Sequence, residues 1–262
     1  MPENLVVVRG GGDLGTGTAW RLSRAGFPVV VLEIPRPLTV RRTVAFSTAV
    51  TQGTIVVENV EAVLVDTPND AIGATADAVA VLVSETIPHF PTPVSIVVDA
   101  RLAKKPLDTT RGMAPFVVGL GPGFVAGDNC DAVVETNRGH HLGRVLWEGA
   151  AEADTGVPGP VGGESSGRVV RAAADGSVEW DVEIGDLVTA QQTLGRIDED
   201  SVAAPIAGVV RGLIAPGPVR NGLKIGDIDP RAHLSTWVEI SDKSLSVAGG
   251  VLEAVMTWLH QQ

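Results

Sequence analysis

The sequence predicts an α/β fold class, in which a parallel sheet with flanking helices is followed by an all-β unit and a closing helix. Up to about residue 125, short apolar runs alternate with stretches of helical spacing, which indicates strands buried on both faces. From about residue 130, turn glycines recur between alternating Val and Ile residues, a pattern typical of antiparallel strands. Apolar residues at helical spacing from Leu245 to Leu259 predict the closing helix.

These changes of pattern divide the chain into four predicted segments. Residues 1–125 form an α/β domain, and residues 126–160 form a transitional segment that is rich in polar side chains. Residues 161–240 form the β domain, and residues 241–262 form the closing helix. The stretch Thr155–Gly167 is rich in glycine and proline, so it is predicted to be the loop that leads into the β domain.

Each strand of the α/β domain is predicted from an apolar run between turn or polar residues. The first strand is Leu5–Val8, and helical spacing over Thr18–Ala25 predicts the helix that follows it. The remaining strands are predicted at Pro28–Leu32, Ala62–Val65, Ala78–Val83, Val94–Val98 and Phe116–Val118.

A glycine-rich turn between the first strand and the first helix carries the strongest local signal. The turn contains the pattern G-x-G-x-x-G at Gly10, Gly12 and Gly15. Glycines at these positions permit a tight turn and a close approach of backbone N–H groups to a phosphate at the helix N-terminus. The pattern, in this strand–turn–helix context, predicts a Rossmann-like nucleotide-binding domain.

An acidic residue, Glu33, ends the second predicted strand, 23 residues after Gly10. A carboxylate at this place accepts hydrogen bonds from a ribose diol and repels a 2′-phosphate, so NAD, or another dinucleotide that lacks a 2′-phosphate, is preferred over NADP. A sheet whose nucleotide site is unused, or holds another ligand, remains the alternative. The predicted cofactor-binding residues are Gly10, Gly11, Gly12, Asp13, Gly15, Thr16, Glu33, Gly121 and Gly123.

The β domain contains an internal repeat of about 32 residues. Ala172–Val178 aligns with Ala204–Val210, and the match continues as Val188, Gln191, Leu194 and Ile197 against Val219, Gly222, Ile225 and Ile228. The repeat resembles the barrel-sandwich hybrid of biotinyl and lipoyl domains. The segment between the two halves, Asp198–Ser201, holds no lysine. The resemblance therefore implies an unmodified structural or docking module rather than a covalent carrier.

A polar segment from Gly119 to Arg144 supplies the candidate catalytic residues, which are Cys130, Arg138, His140 and His141. A loop after an apolar strand lies where open α/β sheets bind ligands. Cys130 is either a nucleophile or a small buried apolar residue. Arg138 either clamps a phosphate or carboxylate or pairs with Glu135. The adjacent histidines contact a ligand more readily than they share a metal ion, and no metal site is predicted.

The composition excludes several classes of protein. Lys and Arg number 20 against 31 Asp and Glu, a formal charge of −11, which disfavours binding to nucleic acid or to an anionic membrane. The single cysteine excludes an internal disulfide. Neither a signal peptide nor an apolar window of membrane-spanning length is evident, so we expect a cytoplasmic protein.

Three segments together resemble the YqeB family. They are Val8–Gly17, the stretch Gly121–Arg144 and the sequence Lys-Ile-Gly-Asp-Ile-Asp-Pro-Arg that ends at Arg231. Members of this family are described as maturation proteins of the selenium-dependent molybdenum hydroxylase system. The resemblance implies a pathway, with a molybdenum hydroxylase as client partner, and it transfers no catalytic residues.

The ligand and the activity stay open at this point. Candidate cofactors are NAD and molybdopterin cytosine dinucleotide, whose pyrophosphate the first helix N-terminus would hold while Cys130 and the Arg138–His141 turn approach the metal end. One alternative is an NAD-dependent oxidoreductase of small molecules with His140 or His141 as its base. Another is a non-enzymatic scaffold. The sequence decides neither whether the protein is an enzyme nor whether it forms a homo-oligomer.

Overall fold

A computed structural model describes residues 4–102, 108–153, 166–231 and 235–262 of the chain. The chain separates into two compact units. The first unit comprises Met1–Pro37, Ala45–Thr155 and Ile240–Gln262, and the second comprises Leu38–Val44 and Gly156–Glu239.

The first unit contains eleven described strands and four described α-helices. The strands are β1 Leu5–Arg9, β2 Val29–Glu33, β3 Thr54–Val57, β4 Val60–Val65, β5 Val79–Val83, β6 Val94–Asp99, β7 Phe116–Leu120, β8 Val125–Ala126, β9 Ala132–Val134, β10 Val145–Leu146 and β11 Gly149–Ala150. The helices are α1 Asp13–Arg24, α2 Ala49–Gln52, α3 Pro68–Ala74 and α4 Asp242–His260. Strands β8 and β11 pair with each other outside the main sheet.

The other nine strands form one mixed sheet in the order β10-β9-β7-β6-β1-β2-β5-β4-β3. The ladders from β9 to β4 are parallel, whereas β10 and β3 pair antiparallel with their neighbours. Every residue of β1 is buried, because Leu5, Val6, Val7 and Val8 pack on both faces of the sheet.

The predicted fold class, a Rossmann-like parallel sheet with a biotinyl- or lipoyl-like barrel-sandwich hybrid, is wrong. The large sheet is mixed, and it continues through β9 and β10, beyond residue 125. At its other edge, Glu58 and Asn59 both adopt positive φ angles, and this tight turn makes β3 and β4 an antiparallel hairpin. Strand β3 was not predicted, although it contains the short apolar run Ile55, Val56 and Val57; three of its four residues are exposed or half-buried.

Helix α4 belongs to the first unit, and it packs against α1. Ser241 caps the helix by accepting a hydrogen bond from the Ser244 N–H (3.1 Å). Ser244 in turn donates through its hydroxyl to the Asp13 carbonyl oxygen (2.7 Å). A Cβ on Gly17 would overlap the Ser244 Oγ, so this glycine lets the two helices approach closely.

The second unit contains two four-stranded antiparallel sheets, in the orders β12-β19-β17-β14 and β16-β15-β13-β18. Its strands are β12 Val169–Arg171, β13 Gly176–Trp180, β14 Leu187–Val188, β15 Thr193–Ile197, β16 Asp200–Ala203, β17 Gly208–Leu213, β18 Gly217–Val219 and β19 Lys224–Asp229.

The internal repeat appears in the strand pairing of the second unit. Val178 pairs with Ile197 in one half, and the repeat-equivalent Val210 pairs with Ile228 in the other. These four side chains are buried in one shared core. Equivalent residues of the two repeats therefore hold equivalent positions in the strand pairing. The two repeats bury their apolar side chains against each other, as stacked repeats do.

Within the described ranges, no helix combines the length and the apolar character that crossing a bilayer requires.

Candidate functional site

The candidate site lies along one edge of the nine-stranded sheet, where the parallel strands end at their carboxyl termini. The chain places β2 on one side of β1 and later places β6 on the other side, so the strand order reverses between β1 and β6. The loops that leave two such strands diverge and open a crevice, the usual ligand site of parallel α/β sheets. The residues that leave β1 and β6 here are Gly10 and Ala100.

The glycine turn packs tightly against its own surroundings. Gly10 has a φ of +97°, and a Cβ there would meet the Arg101 Cγ at 3.2 Å. A Cβ on Gly11 would meet the Ser47 backbone nitrogen at 2.8 Å, and one on Gly15 would overlap the Gly10 carbonyl oxygen. These glycines are therefore required by close backbone packing, whether or not a ligand binds.

Two side chains complete the turn. Thr16 is fully buried, donates to the Gly11 carbonyl oxygen (3.0 Å) and accepts from the Phe46 N–H (2.8 Å). Gly12 caps helix α1 without any side-chain hydrogen bond, and Asp13 lies in the first turn of the helix. Asp13 thus brings negative charge to the helix N-terminus, where it interacts favourably with the helix dipole.

The predicted ribose-binding residue, Glu33, is the last residue of β2 and folds back onto the glycine turn. One carboxylate oxygen accepts from the Gly11 N–H (2.8 Å), and the other accepts from the Ile34 N–H (2.8 Å). The side chain is half-buried. Glu33 is therefore held beside the glycine turn with its carboxylate in a fixed orientation, as an acceptor for hydroxyl groups.

A cluster of two arginines and two aspartates occupies the crevice between β1 and β6. Arg9, the last residue of β1, is only 2% exposed and donates to Asp108 (2.7 Å), Thr109 (2.9 Å) and the Glu85 carbonyl oxygen (3.1 Å). Hydrogen bonds from Arg9, and then from Arg101, hold the pKa of Asp108 well below its usual range.

Arg101 lies opposite, against the fully buried carboxylate of Asp99 at the end of β6. Its Nε donates to Asp99 at 3.0 Å and its Nη2 at 2.6 Å, which makes a bidentate pair. The same Nη2 also donates to Asp108 at 2.9 Å. The Thr109 hydroxyl donates to Asp99 as well, so the buried carboxylate is well satisfied.

The second glycine loop follows β7, on the far side of β6 from β1. Gly121 and Gly123 have φ angles of +77° and +99°, values that favour glycine. A Cβ on Gly121 would overlap the Thr136 Oγ1, which ties this loop to the turn after β9. The predicted glycines of both loops thus lie along the same sheet edge.

Cys130 is fully buried in the apolar core of the first unit, packed with residues such as Phe124, Val117 and Val133. Burial raises the pKa of its thiol to about 12. A nucleophilic cysteine needs a thiolate and access to solvent, so this environment argues against nucleophilic catalysis or ligation by Cys130.

The polar turn after β9 is organised by a buried carboxylate, Glu135. It accepts from the N–H groups of Asn137 (2.6 Å) and Glu152 (2.7 Å). Asn137 donates its side-chain amide to Glu152 (2.6 Å), and His141 Nδ1 lies 3.2 Å from the other Glu152 oxygen. The bonds from Asn137 and His141 lower the pKa of Glu152.

The other predicted catalytic residues lie on the surface near this turn. Arg138 forms a bidentate pair with Asp242 (2.7 and 2.8 Å), not with Glu135. His140 is exposed, and its ring meets the His141 ring edge-on at 5.7 Å between centroids. Arg138 therefore connects the turn to the start of α4, while His141 is the histidine that a carboxylate orients.

A separate ion network is buried in the second unit around Asp227 and Asp229 of β19. Arg168 is hydrogen-bonded to Asp227, and Arg231 forms a bidentate pair with Asp229 (2.9 and 2.8 Å). Burial lowers the pKa of Lys224, against the opposing effect of Asp227 at 3.5 Å. Each buried aspartate of this network is thus paired with at least one cationic side chain, which offsets the cost of burying its charge.

The structure brings together most of the glycine and carboxylate residues that the sequence predicts, and it separates Cys130 from them. Arg9, Asp108 and Thr109 were not predicted as site residues, although Arg9 immediately precedes the glycine turn. An arginine at the end of an apolar strand could have indicated a site residue, because its charge lies at the sheet edge where ligands bind. The carboxylate Glu152 was also missed, because 17 residues separate it from Glu135. Among the residues described, no group of three or more His, Cys, Asp or Glu side chains is arranged to hold a metal ion.

These features define a mixed α/β protein with a charged polar crevice at the switch point of its sheet. The chain is 45% identical over 268 residues to the Escherichia coli K12 protein YqeB, which is described as uncharacterized. The match covers 99% of this chain, which spans about half (48%) of the length of YqeB. The sequence resemblance to YqeB is therefore confirmed over this length. No protein-family model matches the chain.

Solved structures show only distant likeness. An aspartoacylase family protein from Mesorhizobium loti is 10% identical, with a TM-score of 0.29 over 87% of this chain and 85% of that one. A succinylglutamate desuccinylase/aspartoacylase from Rhodobacter sphaeroides is 12% identical, with a TM-score of 0.30 over 87% and 86%. Likeness at this level transfers no site and no activity.

Proposed function

We propose that this chain acts in the maturation of a selenium-dependent molybdenum hydroxylase, as an accessory protein that binds a nucleotide-bearing ligand at the carboxyl edge of the large sheet. Its candidate ligands are molybdopterin cytosine dinucleotide and NAD. The observation that carries the proposal is the convergence of two glycine loops, Glu33 and an arginine pair at a single sheet edge.

The position of the edge residues supports binding of an extended ligand. Neighbouring strands lie about 4.8 Å apart, so the ends of β2 and β9, four strands apart in the sheet, are separated by about 19 Å. Along that length lie the Glu33 carboxylate, which can accept from hydroxyl groups, the guanidinium group of Arg101, and the imidazole of His141. A ligand with a sugar, phosphates and a second ring system has a matching sequence of groups.

The pathway rests on the resemblance to YqeB, not on the geometry. The match, at 45% identity, extends over 99% of the chain. A hydroxylase client would be the macromolecular partner. The glycine loops and Glu33 would bind and orient the ligand, and the turn that carries Arg138 and His141 would lie at the other end of the crevice.

A ligand screen by thermal shift tests this proposal on the full chain. The ligands are cytidine diphosphate, cytidine triphosphate, molybdopterin cytosine dinucleotide, NAD and NADP. A ligand at 100 times its dissociation constant stabilises the protein by about 2.7 kcal/mol. Stabilisation by the cytidine or pterin ligands supports the proposal, and silence from all five ligands contradicts it.

Substitution of Glu33 shows whether the ligand binds at this edge. Glu33→Gln keeps the acceptor for the Gly11 N–H but removes the charge, so it weakens binding of a ribose diol. The matched control is Glu61→Gln on β4, whose exposed carboxylate accepts only from the Thr54 hydroxyl in the described structure (3.0 Å). Equal losses in both variants would place the ligand elsewhere.

A second function, NAD-dependent oxidation of a small molecule, is supported by the pairing of His141 with Glu152. A carboxylate that orients an imidazole is the usual arrangement of a general base. This candidate predicts NAD reduction with some substrate, and it predicts that His141→Ala abolishes the reduction while His140→Ala does not. Stabilisation by NAD alone in the ligand screen would favour this function over cofactor maturation.

A further inference from the structure

The glycine turn has an unsuitable charge environment for a phosphate. Glu33 already accepts a hydrogen bond from the Gly11 N–H, and Asp13 lies in the first turn of helix α1. Each of these carboxylates would repel a phosphate placed on the helix N-terminus. A ligand with both a ribose and phosphates would therefore turn its hydroxyl groups, not its phosphates, toward Glu33.

Positive charge is available at the next position along the sheet edge. Arg101 adjoins the glycine turn, since its Cγ lies 3.2 Å from the place of a Gly10 Cβ. Its Nε and Nη2 atoms bind Asp99 and Asp108, whereas its Nη1 makes no hydrogen bond within the described residues. Its side chain is about one quarter exposed, so a ligand can reach it.

The two aspartates of the cluster differ in their exposure. Asp99 is fully buried and forms a bidentate pair with Arg101, while Asp108 is 49% exposed and bridges Arg101 to Arg9. An exposed carboxylate regains water when it leaves, so it gives up its place at far lower cost than a buried one. Asp108 thus holds the position that an incoming anion of the same geometry would take.

We propose that Arg101, positioned by Asp99 and supported by Arg9, binds the diphosphate group of a ribonucleoside ligand, and that the Asp108 carboxylate competes for the same position. The inference rests on the proposed function and deepens it, because it names the ligand class and the orientation of the ligand. The ribose lies toward Glu33, two strands away at about 10 Å, a separation comparable with the length of a nucleoside diphosphate.

Calorimetric titration of the full chain with inorganic pyrophosphate, cytidine diphosphate and cytidine tests the inference. Arg101→Gln is expected to weaken binding of cytidine diphosphate by about 10- to 100-fold, as for loss of a hydrogen bond to a charged group. Asp108→Asn is expected to tighten it by about fivefold or more, because one competing charge is removed. A gain of affinity cannot arise from misfolding, so this second variant guards against structural damage in the first.

The matched control is Arg111→Gln, which removes an exposed arginine–aspartate pair (2.7 Å to Asp131) at the opposite edge of the same sheet. It should leave the titrations unchanged. If cytidine diphosphate binds but Arg101→Gln and Asp108→Asn have no effect, the inference is wrong and the proposed function stands. If pyrophosphate binds through Arg101 and no nucleotide does, the diphosphate site stands and the nucleotide function is wrong. If neither binds, the inference is wrong, and the five-ligand screen decides the proposed function separately.

Discussion

The reactivity of Cys130 is the sharpest prediction of the structure, because the chain holds only one thiol and its environment is well defined. The test compares the rate at which a thiol reagent reacts with Cys130 at pH 8 in the native protein and in the protein unfolded in guanidinium. Burial raises the pKa of the Cys130 thiol from 9.0 to about 12. A thiol with a pKa of about 12 has roughly a thousandfold lower thiolate fraction at pH 8 than an ordinary cysteine.

Exchange with 5,5′-dithiobis(2-nitrobenzoate), followed by absorbance, measures the effect directly. The native protein should react at least about a thousandfold more slowly than the unfolded chain, because the fully buried sulfur is also inaccessible to the reagent. Cys130→Ala provides the background rate, since it leaves no thiol. Native labelling within about tenfold of the unfolded rate would refute the buried environment and return Cys130 to the candidates for handling sulfur or selenium.

Three further predictions concern stability, each measured by urea unfolding. Glu135→Ala should cost about 2–5 kcal/mol, because two backbone N–H groups lose their acceptor, while Glu152→Gln should leave the unfolding midpoint unchanged. Gly15→Ala should cost about 3 kcal/mol by steric overlap with the glycine turn, against about 1–2 kcal/mol for Gly26→Ala, where φ is +90° but space is open. The pKa of Asp108 is depressed in the folded state, so its contribution to stability is complete above about pH 4 and declines as the pH falls further. Asp108→Asn should therefore be less stable than the parent at pH 7 and should show a shallower loss on acidification; a parallel loss in both proteins would contradict this assignment.

The individual elements of the α/β part were predicted more accurately than their arrangement. Apolar runs located β1, β2, β5 and β6 to within one residue at each end, since fully buried strands have continuous apolar sequences. The helix predicted at Thr18–Ala25 begins earlier, at Asp13, because the glycines of the turn are themselves part of its first turns. The periodicity of apolar residues does not identify glycines as helical, because they contribute no apolar side chain to the pattern.

The local sequence pattern did not predict which strands of the large sheet pair antiparallel. The hairpin of β3 and β4 depends on two residues with positive φ, Glu58 and Asn59; asparagine favours this conformation, but glutamate rarely adopts it, so the pair is not a recognisable hairpin signal. The strand β10 has only two residues, which is too short for an alternating pattern to be recognised. The sheet is mixed because its two edge strands, β10 and β3, pair antiparallel with their neighbours, whereas the strands between them are parallel.

The site was predicted where its signal is local and missed where it joins distant segments. Glycines at fixed spacing and the acid at the end of β2 lie within 24 residues, so one motif contains them. The bond from Arg9 to Asp108 spans 99 positions, and no spacing rule connects two such residues. The histidine that a carboxylate orients was likewise indistinguishable from its neighbour until Glu152 was placed beside it.

By itself, the sequence determined which segments are buried strands, where the glycine turn lies, and that the second unit is built from a repeat. Continuous apolar runs, glycine spacing and repeated residues express these properties locally, because each depends on the free energy of burying or bending a short stretch of chain. Only the tertiary structure decided that the large sheet is mixed, that Cys130 is enclosed in the core, and that two arginines meet two aspartates between β1 and β6. Those outcomes depend on which distant segments pack together, and the balance of burial and charge pairing that selects them is a property of the whole folded chain.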